Sequence, residues 1–102
     1  LGEPAANPYL YLASQIHAGL AGIEGALEAP PATESPYDDA AQRIPNSLGT
    51  AISAFEVDTA MRNGFGEAFI NYYAQLKKAE FARFEAATDK TDFQRREYFS
   101  RL

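Results

Sequence analysis

The 102-residue sequence lacks cysteine and tryptophan, and it has a single histidine, His17. Because there is no cysteine, this sequence can form no disulfide, no thiolate metal site and no cysteine nucleophile. Basic residues are also scarce: 9 stand against 14 acidic residues, for a net charge of −5. Because phosphate binding needs a basic surface, we expect no nucleic-acid partner. No apolar run approaches the roughly 20 residues that span a bilayer, so we expect no membrane partner and a cytoplasmic protein.

The sequence does contain enough apolar and aromatic residues, 46% and 13%, for a folded chain of at most one domain. Asn7 and Pro8 are typical of a helix start, and we predict a first helix from Pro8 to near Glu28. Its apolar residues recur at three- and four-residue steps, which indicates a helical stripe: Tyr9, Leu12, Ala13, Ile16, Leu20, Ile23 and Leu27.

The same helix carries three glycines, Gly19, Gly22 and Gly25. Glycine costs a helix about 1 kcal/mol relative to alanine, so we expect close packing against another element to compensate. We interpret this segment as a helix that is packed on more than one side. A 102-residue domain has few other elements with which to cover several faces of one helix.

Residues 29–46 are rich in proline and should form a long loop, followed by further helices. We predict a second helix from Asn46 or Ser47 to Met61, either continuous or broken once. A third helix of about six turns follows Gly64 and Gly66, and a short last helix opens with a capping box at Thr91. The residues expected to face inward are Leu48, Ala51, Ile52, Phe55, Phe65, Phe69, Tyr73, Leu76 and Phe84. The predicted fold class is all-α, with four to five helices and no convincing strand.

Candidate chemical groups are few. His17 has no partner ligands nearby, Asp38 and Asp39 are adjacent and should not point at one atom, and residues 64–66 (GFG) are typical of a turn between helices. We therefore predict no catalytic, cofactor-binding or metal-binding residue in this chain.

Paired charges give the sharpest structural expectation. Lys77 and Glu80 lie three residues apart on the apolar face of the third helix, which predicts a partly buried ion pair that fixes packing register. Its packing partner would be this chain itself or another part of a larger protein. Glu97 and Arg101 should form a surface pair.

Six separated segments occur in the order found in one enzyme family. Together they cover essentially the whole chain: residues 2–10 (GEPAANPYL), 18–23 (AGLAGI), 44–48 (IPNSL), 62–69 (RNGFGEAF), 77–80 (KKAE) and 91–99 (TDFQRREYF). The chain resembles the C-terminal part of a glutamine synthetase catalytic domain, and its pattern is closer to the γ-glutamyl-amine ligase branch than to the housekeeping enzyme. Phe93 and Gln94 depart from the tryptophan and glutamate of the family's ending.

The resemblance implies a two-domain ligase in which ATP activates glutamate as a γ-glutamyl phosphate and ammonia or an amine displaces the phosphate. Magnesium or manganese ions would assist. It also implies that the β-grasp domain, the active-site sheet and every metal, ATP and substrate ligand precede Leu1. This chain would then be an inactive structural part that contacts the upstream part of the same enzyme, within a homo-oligomer. The alternative is a stand-alone helical module for protein interaction or assembly.

One regulatory residue follows from the resemblance. Some bacterial members adenylylate a loop tyrosine, and Tyr37 lies at the corresponding place. Its surroundings lack the asparagine, both leucines and the proline of that motif, so Tyr37 is either a modification site or an ordinary loop tyrosine.

Overall fold

The computed structural model describes residues 5–32, 34–35 and 43–99. In chain order these ranges contain α1 (Pro8–Glu24), α2 (Leu48–Val57), α3 (Thr59–Phe65), α4 (Glu67–Ala86), α5 (Lys90–Gln94) and a terminal π-turn (Arg95–Phe99). They contain no strand, so the predicted all-α class is confirmed. No helix within these ranges is long and apolar enough to cross a membrane.

Side-chain caps fix the helix starts. The Asn7 Oδ1 atom accepts hydrogen bonds from the second and third amides of α1 at 3.0 and 3.2 Å. Ser47 and Thr50 form a reciprocal capping box at the start of α2. Asp58 has an extended backbone that ends α2, and its side chain caps α3 by accepting from the Met61 amide at 2.8 Å. The starts predicted near Pro8 and Ser47 are confirmed, and the break before Met61 falls at Asp58.

The end of α1 was predicted too far along the chain. The helix stops at Glu24 rather than near Glu28, because Ala26 adopts a left-handed conformation with φ of 47°. The Leu27 amide then turns back to donate to the Gly22 carbonyl at 2.9 Å, which closes the helix end. Alanine seldom adopts this conformation, so the helix end at Glu24 could not be predicted from the residue types.

The start of the last helix was also misplaced. Asp89 Oδ1 accepts from the Asp92 amide at 2.9 Å, and α5 therefore begins at Lys90. Thr91, the predicted cap, lies inside the helix. An aspartate two residues earlier has taken the capping position.

A column of aromatic rings connects four helices. The His17 ring of α1 lies 5.0 Å from Phe65 of α3, which stacks at 5.2 Å on Phe69 of α4. Tyr73, one turn further along α4, lies 5.5 Å from Phe69 and 5.9 Å from Phe55 of α2. Edge-to-face and offset ring pairs at these distances are favourable contacts, so the column holds α4 at the centre of the fold.

The inward face of α4 differs from the prediction, which included Leu76 and omitted Ile70 and Ala74. Ile70 and Ala74 are fully buried, and Ile52 of α2 packs with them in the core. Leu76, expected to face inward, is 45% exposed. The buried face runs through Ile70, Ala74 and then the charged residue Glu80, which turns Leu76 towards solvent.

Close packing of α1 on α3 depends on a glycine. A Cβ atom added to Gly64 would lie 2.4 Å from His17 Cγ and 2.8 Å from His17 Cβ, closer than real atoms approach. On α1 itself, Gly19 and Gly22 have no neighbour within 4 Å of an added Cβ. Among the described helices, α1 contacts α3 alone. The expected packing on more than one side therefore does not occur among the helices that the structure describes.

These glycines give a matched pair of substitutions. We expect Gly64→Ala to destabilise the chain by about 1–3 kcal/mol, because His17 and its helix must move to admit the methyl group. Gly22→Ala is the control: it meets open space and should stabilise α1 by up to about 1 kcal/mol. Chemical denaturation of both variants measures the difference. Equal effects of the two substitutions would contradict the α1–α3 geometry.

Candidate functional site

The first candidate site is the outward face of α1. Five large residues of α1 form it together with Leu27, which lies just beyond the helix end. They are defined here as the α1 stripe: Tyr9, Leu12, Ile16, Leu20, Ile23 and Leu27. Each of them is between 49% and 82% exposed, and α1 has no buried residue. The helix approaches α3 through a different face, which includes His17. Contiguous exposed apolar surface of this kind marks an interaction site.

The second candidate site is a charge network between α4 and the terminal π-turn, defined here by Lys77, Glu80, Arg83, Glu97 and Tyr98. Within the described ranges Glu80 is the one buried charged residue, at 4% exposed. Lys77 Nζ donates to Glu80 Oε2 at 2.7 Å, and the Tyr98 hydroxyl donates to Glu80 Oε1. Arg83 donates to both carboxylate oxygens of Glu97, at 3.0 and 3.3 Å.

Aromatic rings complete the surroundings of Lys77. Its ammonium lies 5.7 Å from the centre of the Tyr73 ring and 5.6 Å from that of Tyr98. Both distances fall within the range of cation–π attraction. Lys77 therefore contacts the aromatic column, the buried carboxylate and the terminal π-turn at once.

The network changes the acidity of two of its members. Burial alone would raise the pKa of Glu80, but hydrogen bonds from Lys77 and Tyr98, with the charges of Lys77 and Arg83, bring it below its ordinary value of 4.5. Burial and the hydrogen bond to the Glu80 carboxylate raise the pKa of Tyr98 above its ordinary value of 10.0. At neutral pH the network is thus a carboxylate held by an ammonium and a neutral phenol.

The sequence predicted part of this network. The spacing of Lys77 and Glu80 placed both on one face of the helix. Tyr98, which is 18 residues from Glu80, carried no signal in the spacing. The structure also pairs Glu97 with Arg83, which the sequence did not indicate. The expected pair of Glu97 with Arg101 stays a prediction, because Arg101 lies outside the described residues.

The remaining candidates from the sequence are His17, Tyr37, Asp38 and Asp39. Tyr37, Asp38 and Asp39 lie outside the described residues. His17 packs its ring against Phe65 and Gly64. The described part of the chain contains no group of three or more metal-ligating side chains.

Comparison with known proteins identifies the family. The family model described as "Glutamine synthetase, catalytic domain" matches residues 1–96. The chain therefore belongs to the glutamine synthetase family. Over its whole length it is 40% identical to a gamma-glutamylanilide synthase of Acinetobacter, of which it covers 22%. No solved structure matches the chain.

Two further relatives place the chain in the same family. It is 34% identical over 94% of its length to a gamma-glutamylethanolamide synthetase of Streptomyces coelicolor, covering 21% of that protein. It is 31% identical over 94% of its length to a glutamine synthetase of Staphylococcus epidermidis, covering 23% of it. The chain thus spans about a fifth of the length of these relatives.

The lowered pKa of Glu80 predicts how stability depends on pH. Because the pKa falls on folding, the network contributes stability that is complete above the unfolded value of about 4.5 and is lost as pH falls through the lower folded value. We expect the free energy of unfolding to fall more steeply below about pH 4.5 for the native chain than for Glu80→Gln. Denaturant titrations of both proteins between pH 7 and pH 3 measure this. Parallel curves would contradict it.

Proposed function

We propose that this chain is the C-terminal helical portion of the catalytic domain of a cytoplasmic, ATP-dependent carboxylate–amine ligase. The reaction joins glutamate to ammonia or an amine, giving a γ-glutamyl amide, ADP and phosphate. Similarity to two relatives, a gamma-glutamylanilide synthase and a gamma-glutamylethanolamide synthetase, supports this reaction class. The role proposed for this chain is structural, and it has no activity alone.

The exposed α1 stripe carries the proposal. Burying a leucine or isoleucine side chain contributes roughly 1.5–3 kcal/mol, and α1 leaves its whole stripe in water. Gly19 and Gly22 also leave room for the close approach of another backbone. We propose that the occupant of this face is the upstream part of the same catalytic domain, since the relatives extend over about five times the matched length.

The dimensions of the chain support the same view. Its radius of gyration is 16.0 Å, whereas a compact domain of this length has about 13 Å. Large residues on other elements are exposed as well: Ile44 is 86% exposed and Val57 is 75% exposed. An extended helical body with open apolar faces is typical of one part of a larger unit rather than of a self-contained domain.

The size of the native protein tests the proposal most directly. An antibody raised against this chain should detect, in extract of the source cells, a band several times larger than the 11.2 kDa of the chain. The purified larger protein should form γ-glutamyl amides in the presence of ATP and Mg²⁺ or Mn²⁺.

Two outcomes would overturn it. A single band near 11 kDa would indicate a stand-alone helical module for interaction or assembly. Measurable γ-glutamyl transfer by the isolated chain would show that it carries catalytic residues of its own.

The α1 stripe also predicts the behaviour of the isolated chain. We expect the chain to self-associate through this face, because the stripe is exposed among the residues that the structure describes. Substituting Ile16→Glu and Leu20→Glu together should shift the species towards monomer without removing helix. Gln15→Glu, which adds a charge at an exposed position of α1 outside the stripe, is the matched control. Sedimentation velocity measures the species. A native chain that remains monomeric at high concentration would contradict this expectation.

A further inference from the structure

The terminal π-turn is attached to α4 in an unusual way. No Cα atom of Arg95–Phe99 lies within 8 Å of a Cα atom of α4, and none approaches α1, α2 or α3. Phe99, its last described residue, is 73% exposed. The π-turn therefore reaches the rest of the fold through long side chains rather than through close packing of the helices.

The contacts that join the two elements are crossed. The buried acid of α4, Glu80, receives a hydrogen bond from Tyr98 of the π-turn. The acid of the π-turn, Glu97, whose side chain is 11% exposed, receives two hydrogen bonds from Arg83 of α4. Each element thus supplies a carboxylate and a donor for the carboxylate of the other.

The crossed contacts depend on one another. A buried carboxylate that loses its hydrogen-bond donor has lost its hydration without compensation, so each contact is stable only while the π-turn stays in place. The apolar core of Ile52, Ile70 and Ala74 has no member in the π-turn. Opening the π-turn would break the charge network and leave that core intact.

The connection towards α4 supplies a separate anchor. The Lys90 ammonium donates to the carbonyl of Phe84 at 2.5 Å and to that of Glu85 at 2.6 Å, at the end of α4. Phe93 of α5 packs edge-on against Phe84 at 5.8 Å. These contacts hold α5 on α4 independently of the charge network. Between α5 and the side chains of the π-turn, the ion pair of Arg96 with Asp92, at 2.9 Å, is exposed, and such pairs contribute little to stability.

We propose that the terminal π-turn is a polar clasp, a segment that opens and closes on α4 as a unit while the remaining helices stay folded. Glu80 is the residue on which its closure depends. When the clasp is closed, residues 95–99 are held against α4. Opening it would expose the Glu80 carboxylate and release Arg83 from Glu97, so that both could meet solvent or another partner. This proposal does not rest on the proposed ligase function.

Amide hydrogen exchange of the 102-residue chain at neutral pH tests the clasp. In Tyr98→Phe, which removes one hydroxyl, the amides of residues 95–99 should exchange roughly tenfold to a hundredfold faster, the factor expected for losing a hydrogen bond to a charged group. Amides of α2, α3 and the first half of α4 should change by less than about twofold. Tyr72→Phe is the matched control, since Tyr72 lies on α4 and is 65% exposed; it should leave the π-turn unchanged.

A second variant guards against misfolding of the first. Glu97→Gln weakens the contact with Arg83 from the opposite side of the crossed pair and should accelerate the same amides. Acceleration spread equally over every helix would show that the π-turn unfolds only with the whole chain, and the proposal would fail. It would fail equally if both variants left residues 95–99 unchanged, or if these amides in the native chain exchanged as fast as in a free peptide.

Discussion

The fold depends on how α3 joins α4 through a single residue. Gly66 has φ of 86°, a conformation that suits glycine, and this allows the chain to change direction between two helices without a loop. Phe65 and Phe69, on either side of that bend, then stack at 5.2 Å. Three further ring contacts extend this pair: His17 brings α1 to one end, and Tyr73, which stacks on Phe69, brings α2 to the other. A substitution at Gly66 would therefore disturb all four helices together.

Sequence reasoning succeeded where the determinants are local. Asn7 and Ser47 bond to amides within three residues of themselves, so both helix starts could be predicted from neighbouring letters. The face shared by Lys77 and Glu80 follows from helical spacing for the same reason. Features that depend on residues distant in sequence, or on rare backbone conformations, could not be predicted in this way. The Tyr98–Glu80 contact spans 18 residues, and the end of α1 rests on an alanine in a left-handed conformation.

The two candidate sites differ in what they require. The α1 stripe is apolar and exposed, and its residues gain free energy when another surface covers them. The charge network is already closed, since Lys77 and Tyr98 supply donors to Glu80 within this chain. The sequence left open whether the Lys77–Glu80 pair would serve this chain or another part of a larger protein. Its contacts with the terminal π-turn favour the first of these readings.

Docking of the α1 stripe and closure of the π-turn on α4 therefore depend on separate contacts. If α1 is covered in the larger protein, its position is passed to α3 and α4 through His17, Phe65 and Gly64, where no methyl group fits. No Cα atom of the π-turn lies within 8 Å of a Cα atom of α1, α3 or α4. The π-turn reaches α4 through side chains. Covering the α1 stripe should therefore stabilise the aromatic column and leave the clasp able to open. A protein built in this way holds one end of its central helix through the aromatic column, while the π-turn at the other end can open as a unit.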